Sequence, residues 1–141
     1  MAERKVGEDL SLQEIEGDDW GDPATAETDL IGNVLQYRRT PLRDLGAEEL
    51  RELILQQVSL DLLVPRALTL LEHDPRTAGD LYEGDLLAAV LLAKRGFWRR
   101  HPELAERVDG IIATLDDDPD EVDLSDDIAT FRAAVGRPDP A

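Results

Sequence analysis

The stretch Leu60-Asp-Leu-Leu-Val-Pro-Arg-Ala-Leu-Thr-Leu-Leu71 decides the fold class, because its apolar residues recur with the period of an α-helix. From Leu60 onward they stand at positions i, i+3, i+4, i+7, i+8 and i+11. Leu62 and Leu70 widen this apolar stripe, so we predict a central and mostly buried helix. Pro65 removes an N–H donor and crowds the carbonyl of Asp61, which predicts a kink or a restart of the helix there.

Helical patterns also precede this stretch. Ser11-Leu-Gln-Glu14 is a capping box, in which each end residue can bond a free backbone N–H of a first turn, and it predicts a short helix. Apolar residues at helical spacing between Leu30 and Tyr37 predict a second helix, which ends at Thr40-Pro41. After a single turn at the proline, residues 47–58 form the next amphipathic helix.

Further helices follow downstream. We predict them over 83–93, from Pro102 to Leu115 and over 125–135, with Gly96 ending the first of the three. No segment alternates for long between apolar and polar residues, as a half-buried strand would. The sequence therefore predicts an all-α fold, a single compact and bundle-like domain of about six helices over residues 1–141. We expect residues 1–8 and 138–141 to be frayed.

The segment Phe97-Trp98-Arg99-Arg100 is predicted to form one helical turn. Its aromatic residues are expected in the core, between two helices. Because the chain is so acidic, we expect Arg99 and Arg100 to act as internal counter-charges.

The charge balance excludes several classes of function. The chain has 15 lysines and arginines against 32 aspartates and glutamates, a formal net charge of −17 and a pI near 4.3. Nucleic acids are held by cations that neutralise phosphates, so a general nucleic-acid binder is excluded, and anionic membrane surfaces are disfavoured for the same reason. The expected partners are cationic, either a basic protein or metal ions.

The chain contains no cysteine, which excludes disulfides, thiolate catalysis and zinc–thiolate or iron–sulfur sites. Its first residues lack the apolar stretch of a secretory signal. The longest apolar run, Leu86–Ala93, is far shorter than a membrane-spanning helix. We therefore expect a soluble, cytoplasmic protein.

The acidic run over 116–127, DDDPDEVDLSDD, is the first candidate for a site. It places aspartates at positions 1, 3 and 5 of an EF-hand loop. However, Glu121 occupies position 6, where the loop needs glycine, and Asp127 replaces the longer glutamate at position 12. We therefore predict an acidic linker over 116–125 before the last helix, and an acidic calcium-responsive or generic adaptor domain is the alternative function.

Motifs for catalysis are absent from the sequence. His73 and His101 have no partner at metal-ligand spacing, and no serine or threonine lies in a nucleophile motif. The glycines are too isolated to form a phosphate-binding loop. We predict no catalytic residue, no metal site and no cofactor; an enzyme built on a carboxylate pair is the third hypothesis.

Two predicted loops carry an aromatic residue among carboxylates. Trp20 lies in Glu16-Gly-Asp-Asp-Trp-Gly-Asp22, and Tyr82 lies in Asp80-Leu-Tyr-Glu-Gly-Asp85. An exposed aromatic ring surrounded by carboxylates suits an interface with a cationic partner. Alternatively, Trp20 folds inward to pin its loop, and Tyr82 hydrogen-bonds only across its own loop. The sequence leaves both interpretations open.

Several blocks of the chain resemble the small bacterial immunity proteins of contact-dependent growth inhibition (CDI) systems. The resemblance rests on residues 11–23 (SLQEIEGDDWGDP), 38–45 (RRTPLRDL), 48–57 (EELRELILQQ), 62–68 (LLVPRAL), 71–75 (LEHDP) and 79–87 (GDLYEGDLL), with Phe97-Trp98 after them. The order and spacing of these blocks are more specific than any one of them. They cover roughly residues 9–101, and the part beyond Pro102 shows no resemblance.

The resemblance implies a function. In such systems a producer cell makes a toxin that is delivered by contact, and the immunity protein binds the toxin domain to protect its own cytoplasm. We therefore expect a stoichiometric inhibitor of a cognate toxin domain that is basic, a nuclease being one candidate, and we expect a monomer without nucleic-acid or membrane partners. The candidate toxin-binding residues are Asp18, Asp19, Trp20, Asp22, Tyr82, Glu83 and Asp85.

Overall fold

The computed structural model describes residues 7–115 and 121–136, and this part of the chain is built from α-helices. They are α1 (Leu12–Glu16), α2 (Asp29–Arg38), α3 (Ala47–Leu55), α4 (Leu60–His73), α5 (Asp85–Leu91), α6 (Arg95–Arg100), α7 (Pro102–Ile112) and α8 (Ser125–Ala134). Short 3₁₀ turns occupy Gly7–Asp9, Pro23–Thr25 and Leu42–Asp44, and the described residues contain no β-strand. The predicted all-α class is confirmed. Six of these helices have seven residues or more, while α1 and α6 are shorter.

Capping side chains set the beginnings of the first helices. Ser11 Oγ accepts the N–H of Glu14, and the Glu14 carboxylate accepts the N–H of Ser11, both at 3.2 Å, which confirms the predicted capping box. Gly17 ends α1 with a φ of 62°, in the left-handed region that favours glycine. The Thr28 hydroxyl accepts the N–H of Ile31 at 3.1 Å, so α2 begins directly after Thr28.

Helix α4 is central and buried, as predicted. Its buried side chains are those of Leu60, Leu63, Val64, Ala67, Leu68 and Leu71. Pro65 does not cause a restart, because apolar residues on both sides of it are held in the same core and outweigh the roughly 3 kcal/mol that an interior proline costs. Although α4 is the longest described helix, with 14 residues, none of the described helices is long and apolar enough to cross a membrane.

An aromatic cluster joins α6 and α8 inside the core. The rings of Phe97 and Trp98 meet edge to face with centroids 5.0 Å apart, and Trp98 meets Phe131 in the same way at 5.0 Å. The Trp98 indole N–H donates to the carbonyl of Ala93 at 3.0 Å, so the buried polar atom is satisfied. The predicted core position of Phe97 and Trp98 is confirmed.

The end of α5 differs from the prediction. Helix α5 ends at Leu91, and Gly96 lies inside α6 instead of ending the preceding helix. The side chain of Gln57 explains this boundary, because its amide N–H donates to the Leu92 carbonyl at 3.2 Å and its oxygen accepts the N–H of Lys94 at 2.9 Å. A distant side chain thus satisfies the backbone between α5 and α6, and the local sequence contains no sign of it.

The described part of the predicted acidic linker is held against the fold. Arg76 pairs with Glu121 and donates to the carbonyl of Val122 at 3.0 Å, and Leu124 is buried in the core. A solvated linker is therefore the wrong description of 121–124, because burial of a leucine anchors it. Residues 116–120 lie outside the described residues, as do residues 1–6 and 138–141 of the expected frayed ends 1–8 and 138–141. Gly7 and Glu8, which were also expected to be frayed, belong to the 3₁₀ turn Gly7–Asp9.

The predicted role of Arg99 and Arg100 is also wrong. Both side chains are exposed, and neither forms an ion pair with a residue that the structure describes. Phe97 and Trp98 occupy the buried face of α6, so the arginines that follow them lie on the opposite, solvent-facing side of the helix.

Candidate functional site

The loop over residues 17–22, here called the Trp20 loop, follows α1 and is held by its own carboxylates. Asp18 accepts the indole N–H of Trp20 at 3.1 Å. Asp19 and Asp22 each accept a backbone N–H two residues farther along the chain, both at 2.9 Å. These short-range bonds are the turn chemistry expected of aspartate, and they fix the loop while leaving its remaining carboxylate oxygens in solvent.

Arg38, at the end of α2, supports the Trp20 loop from below. Its guanidinium carbon lies 3.9 Å from the centre of the Trp20 ring, a cation–π contact. One of its nitrogens pairs with Glu16, and another donates to the carbonyl of Asp18 at 2.7 Å. Arg38 is 1% exposed, whereas Trp20 is 49% exposed. The indole therefore does not fold into the core but lies at the surface, on a buried cation.

An apolar groove of about 350 Å³ opens beside Trp20. Its walls come from the first half of α2 and from the segment between α3 and α4; the lining residues are Trp20, Leu30, Ile31, Val34, Leu35, Gln56, Gln57 and Val58. Leu30 and Ile31 are exposed, although helical spacing had placed both on the apolar stripe of α2. Neighbouring exposed apolar side chains beside charged residues are typical of a binding surface.

The segment that closes this groove carries strained backbone. Gln57 has a φ of 60° and Ser59 a φ of 49°, both in the left-handed region that non-glycine residues rarely adopt. The surroundings hold both residues there: Gln57 bonds the α5–α6 connection, and Ser59 Oγ donates to the Glu16 carboxylate at 2.8 Å. Strain of this kind is frequent at functional sites. Gln57 was not predicted as a site residue, because glutamine carries no sequence signal for this conformation.

The loop over residues 78–84, here called the Tyr82 loop, contains most of the second predicted contact segment, 80–85, and is organised from inside by Asp85. This carboxylate is 2% exposed and accepts the backbone N–H groups of Gly79, Leu81 and Tyr82, the last two at 3.0 and 3.3 Å. The predicted role of Asp85 as a surface contact therefore does not fit the structure, because its side chain is buried and its oxygens already accept backbone N–H groups of the protein itself. The Tyr82 side chain is 36% exposed, and the partial burial of its hydroxyl raises its pKa, with Asp127 and Asp85 adding to the effect.

Arg51 and Glu48 fix the inner side of this second loop. Arg51 Nε donates to Glu48 Oε1 at 2.6 Å, and the same oxygen accepts the N–H of Asp80 at 2.9 Å. The bond from Arg51 is the main reason why the pKa of Glu48 lies below its ordinary value. Glu83, in contrast, is exposed at the surface of the loop.

The two predicted aromatic loops lie at opposite ends of α3 and do not form one cluster. The Tyr82 loop contacts Glu48 at the beginning of the helix, whereas the Trp20 groove is lined by Gln56 and Gln57, just beyond its end. Nine helical residues separate the ends by about 13 Å. Of the predicted site residues, Asp18, Asp19 and Asp22 lie in the loop of Trp20, and Glu83 lies beside Tyr82 at the surface.

Among the residues that the structure describes, the histidine candidates do not form a metal site. His101 contacts Asp61 at 2.9 Å and Glu103 at 3.3 Å, all three at the surface. Within residues 7–115 and 121–136, no group of three or more His, Asp or Glu side chains could hold a metal ion. The first five residues of the EF-hand-like run, 116–120, lie outside the described part.

Comparison with known proteins identifies the family. No curated protein and no solved structure matches the chain. A family model described as CDI immunity proteins matches residues 14–108, about two thirds of the sequence. The match includes both aromatic loops, Arg38, the groove and all of α2 to α6. The chain therefore belongs to the family of CDI immunity proteins.

Proposed function

We propose that this protein binds the cognate toxin domain of its CDI system one to one and neutralises it, without a catalytic step of its own. The observation that carries the proposal is an exposed tryptophan, fixed by a buried arginine, at the mouth of an apolar groove with carboxylates around it. Membership of the family of CDI immunity proteins supports a toxin domain as the partner.

The exposed surface around Trp20 has the composition that is typical of the centre of a protein–protein interface. Tryptophan is among the residues that contribute most to binding when they enter a partner's pocket, and apolar neighbours exclude water around such an anchor. Trp20 with Leu30 and Ile31 offers that arrangement. We propose that a side chain of the toxin fills the groove while Trp20 packs against the toxin's surface.

The carboxylates favour a basic toxin. Asp18, Asp19 and Asp22 surround the indole, and the chain as a whole carries a net charge of −17. Attraction of this kind can raise association rates to about 10⁸–10⁹ M⁻¹s⁻¹ at low salt, and it fades beyond about 8 Å at physiological ionic strength. Fast capture suits an inhibitor that must reach the toxin before the toxin reaches its target. The toxin is therefore proposed to present a cationic surface, as the active site of a nuclease does.

Preorganisation supports the same surface. The cation–π contact with Arg38 and the hydrogen bond to Asp18 hold the indole before any partner arrives. An interface whose side chains are already ordered loses less conformational entropy on binding. Tyr82 and Glu83 are proposed as outer contacts, since a standard interface of about 800 Å² per partner extends beyond the length of α3.

Growth rescue tests the proposal. The toxin domain encoded just upstream is expressed with the wild-type protein, with Trp20→Ala plus Asp19→Lys, or with a control, Leu70→Ala plus Glu106→Lys. The control also removes one exposed apolar side chain and changes the charge by the same amount, but away from the groove. We expect the wild type and the control to rescue growth and the Trp20 variant to fail while staying folded. Full rescue by the Trp20 variant would refute the proposed surface, and no rescue by the wild type would refute the function.

A further inference from the structure

The lysine and arginine side chains of this acidic protein differ in whether they form ion pairs. Of the twelve lysines and arginines in the described residues, seven form ion pairs with carboxylates: Arg38, Arg39, Arg43, Arg51, Arg66, Arg76 and Arg107. Four of the other five are Lys94, Arg95, Arg99 and Arg100. All four are exposed and belong to α6 or to the residue directly before it, and they are here called the α6 face.

The α6 face is unfavourable for the stability of its own helix. Lys94 and Arg95 stand at the N-terminal end of α6, where the helix dipole disfavours positive charge, and the first turn contains no acidic residue. Arg95 and Arg99 are four residues apart and repel each other on the same side of the helix. The carboxylates of Asp61 and Glu103 contact His101, which follows the end of α6. Such a local conflict is typical of a functional surface.

The α6 face adjoins the Trp20 groove through Gln57. The Gln57 side chain lines the groove, and its amide oxygen accepts the N–H of Lys94 while its N–H donates to Leu92. Leu92 is exposed as well, so apolar surface continues from the groove towards α6. The groove therefore has an acidic border at the Trp20 loop and a cationic border at α6.

We infer that the α6 face binds an acidic segment of the same toxin domain that enters the Trp20 groove, an inference that rests on the proposed function. The toxin surface would then present a basic group towards the Trp20 loop, an apolar side chain to the groove and a carboxylate group towards Arg95 and Arg99. Opposite charges on the two borders permit one orientation of the toxin and oppose the reversed one, since the reversed complex places like charges together.

Other anionic partners fit this face less well. A nucleic acid or an anionic membrane is a long negative surface, and the rest of a chain with a net charge of −17 repels it. A second copy could place its Trp20 loop on the α6 face, but each copy carries the same net charge of −17, and this repulsion opposes self-association. An acidic segment of a compact, otherwise basic partner avoids this repulsion.

The test compares three variants that each replace one unpaired arginine by glutamate. Arg95→Glu and Arg99→Glu alter the α6 face, and Arg132→Glu on α8 is the matched control, since Arg132 also lacks an ion pair with any described residue. Binding of each purified variant to the purified, catalytically inactivated toxin domain is measured by surface plasmon resonance, after thermal unfolding has shown that the variant is folded. We expect each α6 variant to raise Kd about tenfold or more, because the substitution places like charges together, and we expect the control to stay within about twofold.

If net charge alone determined the affinity, each variant would bind a basic toxin more tightly than the wild type, because each is more acidic. If the α6 variants bind as tightly as the wild type or more tightly, while Ile31→Ala weakens binding, the inference about α6 is wrong and the proposed function stands. If the wild type does not bind the toxin, the proposed function itself fails. If the protein alone sediments as an oligomer that Arg99→Glu converts to a monomer, the α6 face binds a second copy, and the assignment to the toxin is overturned.

Discussion

The guanidinium carbon of Arg38 lies 3.9 Å from the centre of the Trp20 ring, so an exposed tryptophan is supported by the most deeply buried arginine among the residues that the structure describes. The same guanidinium holds Glu16 and the carbonyl of Asp18. One side chain thus connects the end of α2 to the end of α1 and to the Trp20 loop. The surface that we propose binds the toxin depends on this connection.

Replacing Arg38 by alanine should therefore destabilise the protein. The change removes charge-assisted hydrogen bonds from a buried position, and we expect the free energy of unfolding to fall by about 1.5–3 kcal/mol, measured by urea denaturation. Arg39→Ala is the control, because the partly exposed side chain of Arg39 makes a 3.4 Å pair with Asp19 and one hydrogen bond to the Gly21 carbonyl at 2.9 Å, and its loss should cost no more than about 1 kcal/mol. Equal losses in the two variants would contradict the supporting role of Arg38.

The backbone of Gln57 allows a test of strain. Gln57→Ala and Gln57→Gly lose the same side-chain bonds to the α5–α6 connection, but only glycine relieves the positive φ of 60°. We expect the alanine variant to be less stable than the glycine variant by about 1 kcal/mol, although glycine is normally the more destabilising residue. Chemical denaturation measures the difference, and a more stable alanine variant would show that this residue is not strained.

The sequence predicted the helices and much of the core, because these depend on periodicity and on local caps. The buried stripe of α4, the capping box at Ser11 and the core position of Trp98 follow from residues close together in the chain. The end of α5 could not be predicted in this way, since a side chain 35 residues upstream, that of Gln57, sets it.

The candidate site was predicted in part. The sequence pointed to Trp20 through its loop of turn-forming residues, but not to Arg38, which helical spacing alone does not distinguish from Arg39. Nor could spacing reveal that Leu30 and Ile31 remain exposed, because that depends on where α3 ends. Asp85 was predicted at the surface since its segment is rich in charge, and its burial follows from three backbone N–H groups that need an acceptor.

The anchoring of residues 121–124 can be measured through Leu124. We expect Leu124→Ala to lower the free energy of unfolding by about 2–3 kcal/mol, because a buried leucine leaves a cavity that the surroundings fill only partly. Val122→Ala, at an exposed position two residues earlier, should change it by no more than about 0.5 kcal/mol. If the two variants are equally stable in urea denaturation, this segment is not part of the core.

Glu48 should contribute to the pH dependence of stability. Its pKa is lowered in the folded protein, chiefly by the hydrogen bond from Arg51, so its contribution is present above the ordinary value of 4.5 and is lost as the pH falls through the lower folded value. The difference in unfolding free energy between the wild type and Glu48→Gln should therefore be largest near neutral pH and shrink below about pH 4.5. Glu106→Gln, at an exposed position on α7, serves as the control for loss of one charge. A difference that stays constant from pH 7 to pH 3 would contradict this role of Glu48.

The most direct test of the proposed function is titration calorimetry of the purified toxin domain with the wild type, Trp20→Ala and Ile31→Ala, with Leu70→Ala as the control. Leu70 is 38% exposed and Ile31 is 46% exposed, so the two substitutions remove similar apolar surface, but only Ile31 lies in the groove. We expect one-to-one binding by the wild type, a Kd raised about 30-fold or more by Trp20→Ala and clearly raised by Ile31→Ala, and no change with Leu70→Ala. Equal affinities for all four proteins would contradict the account.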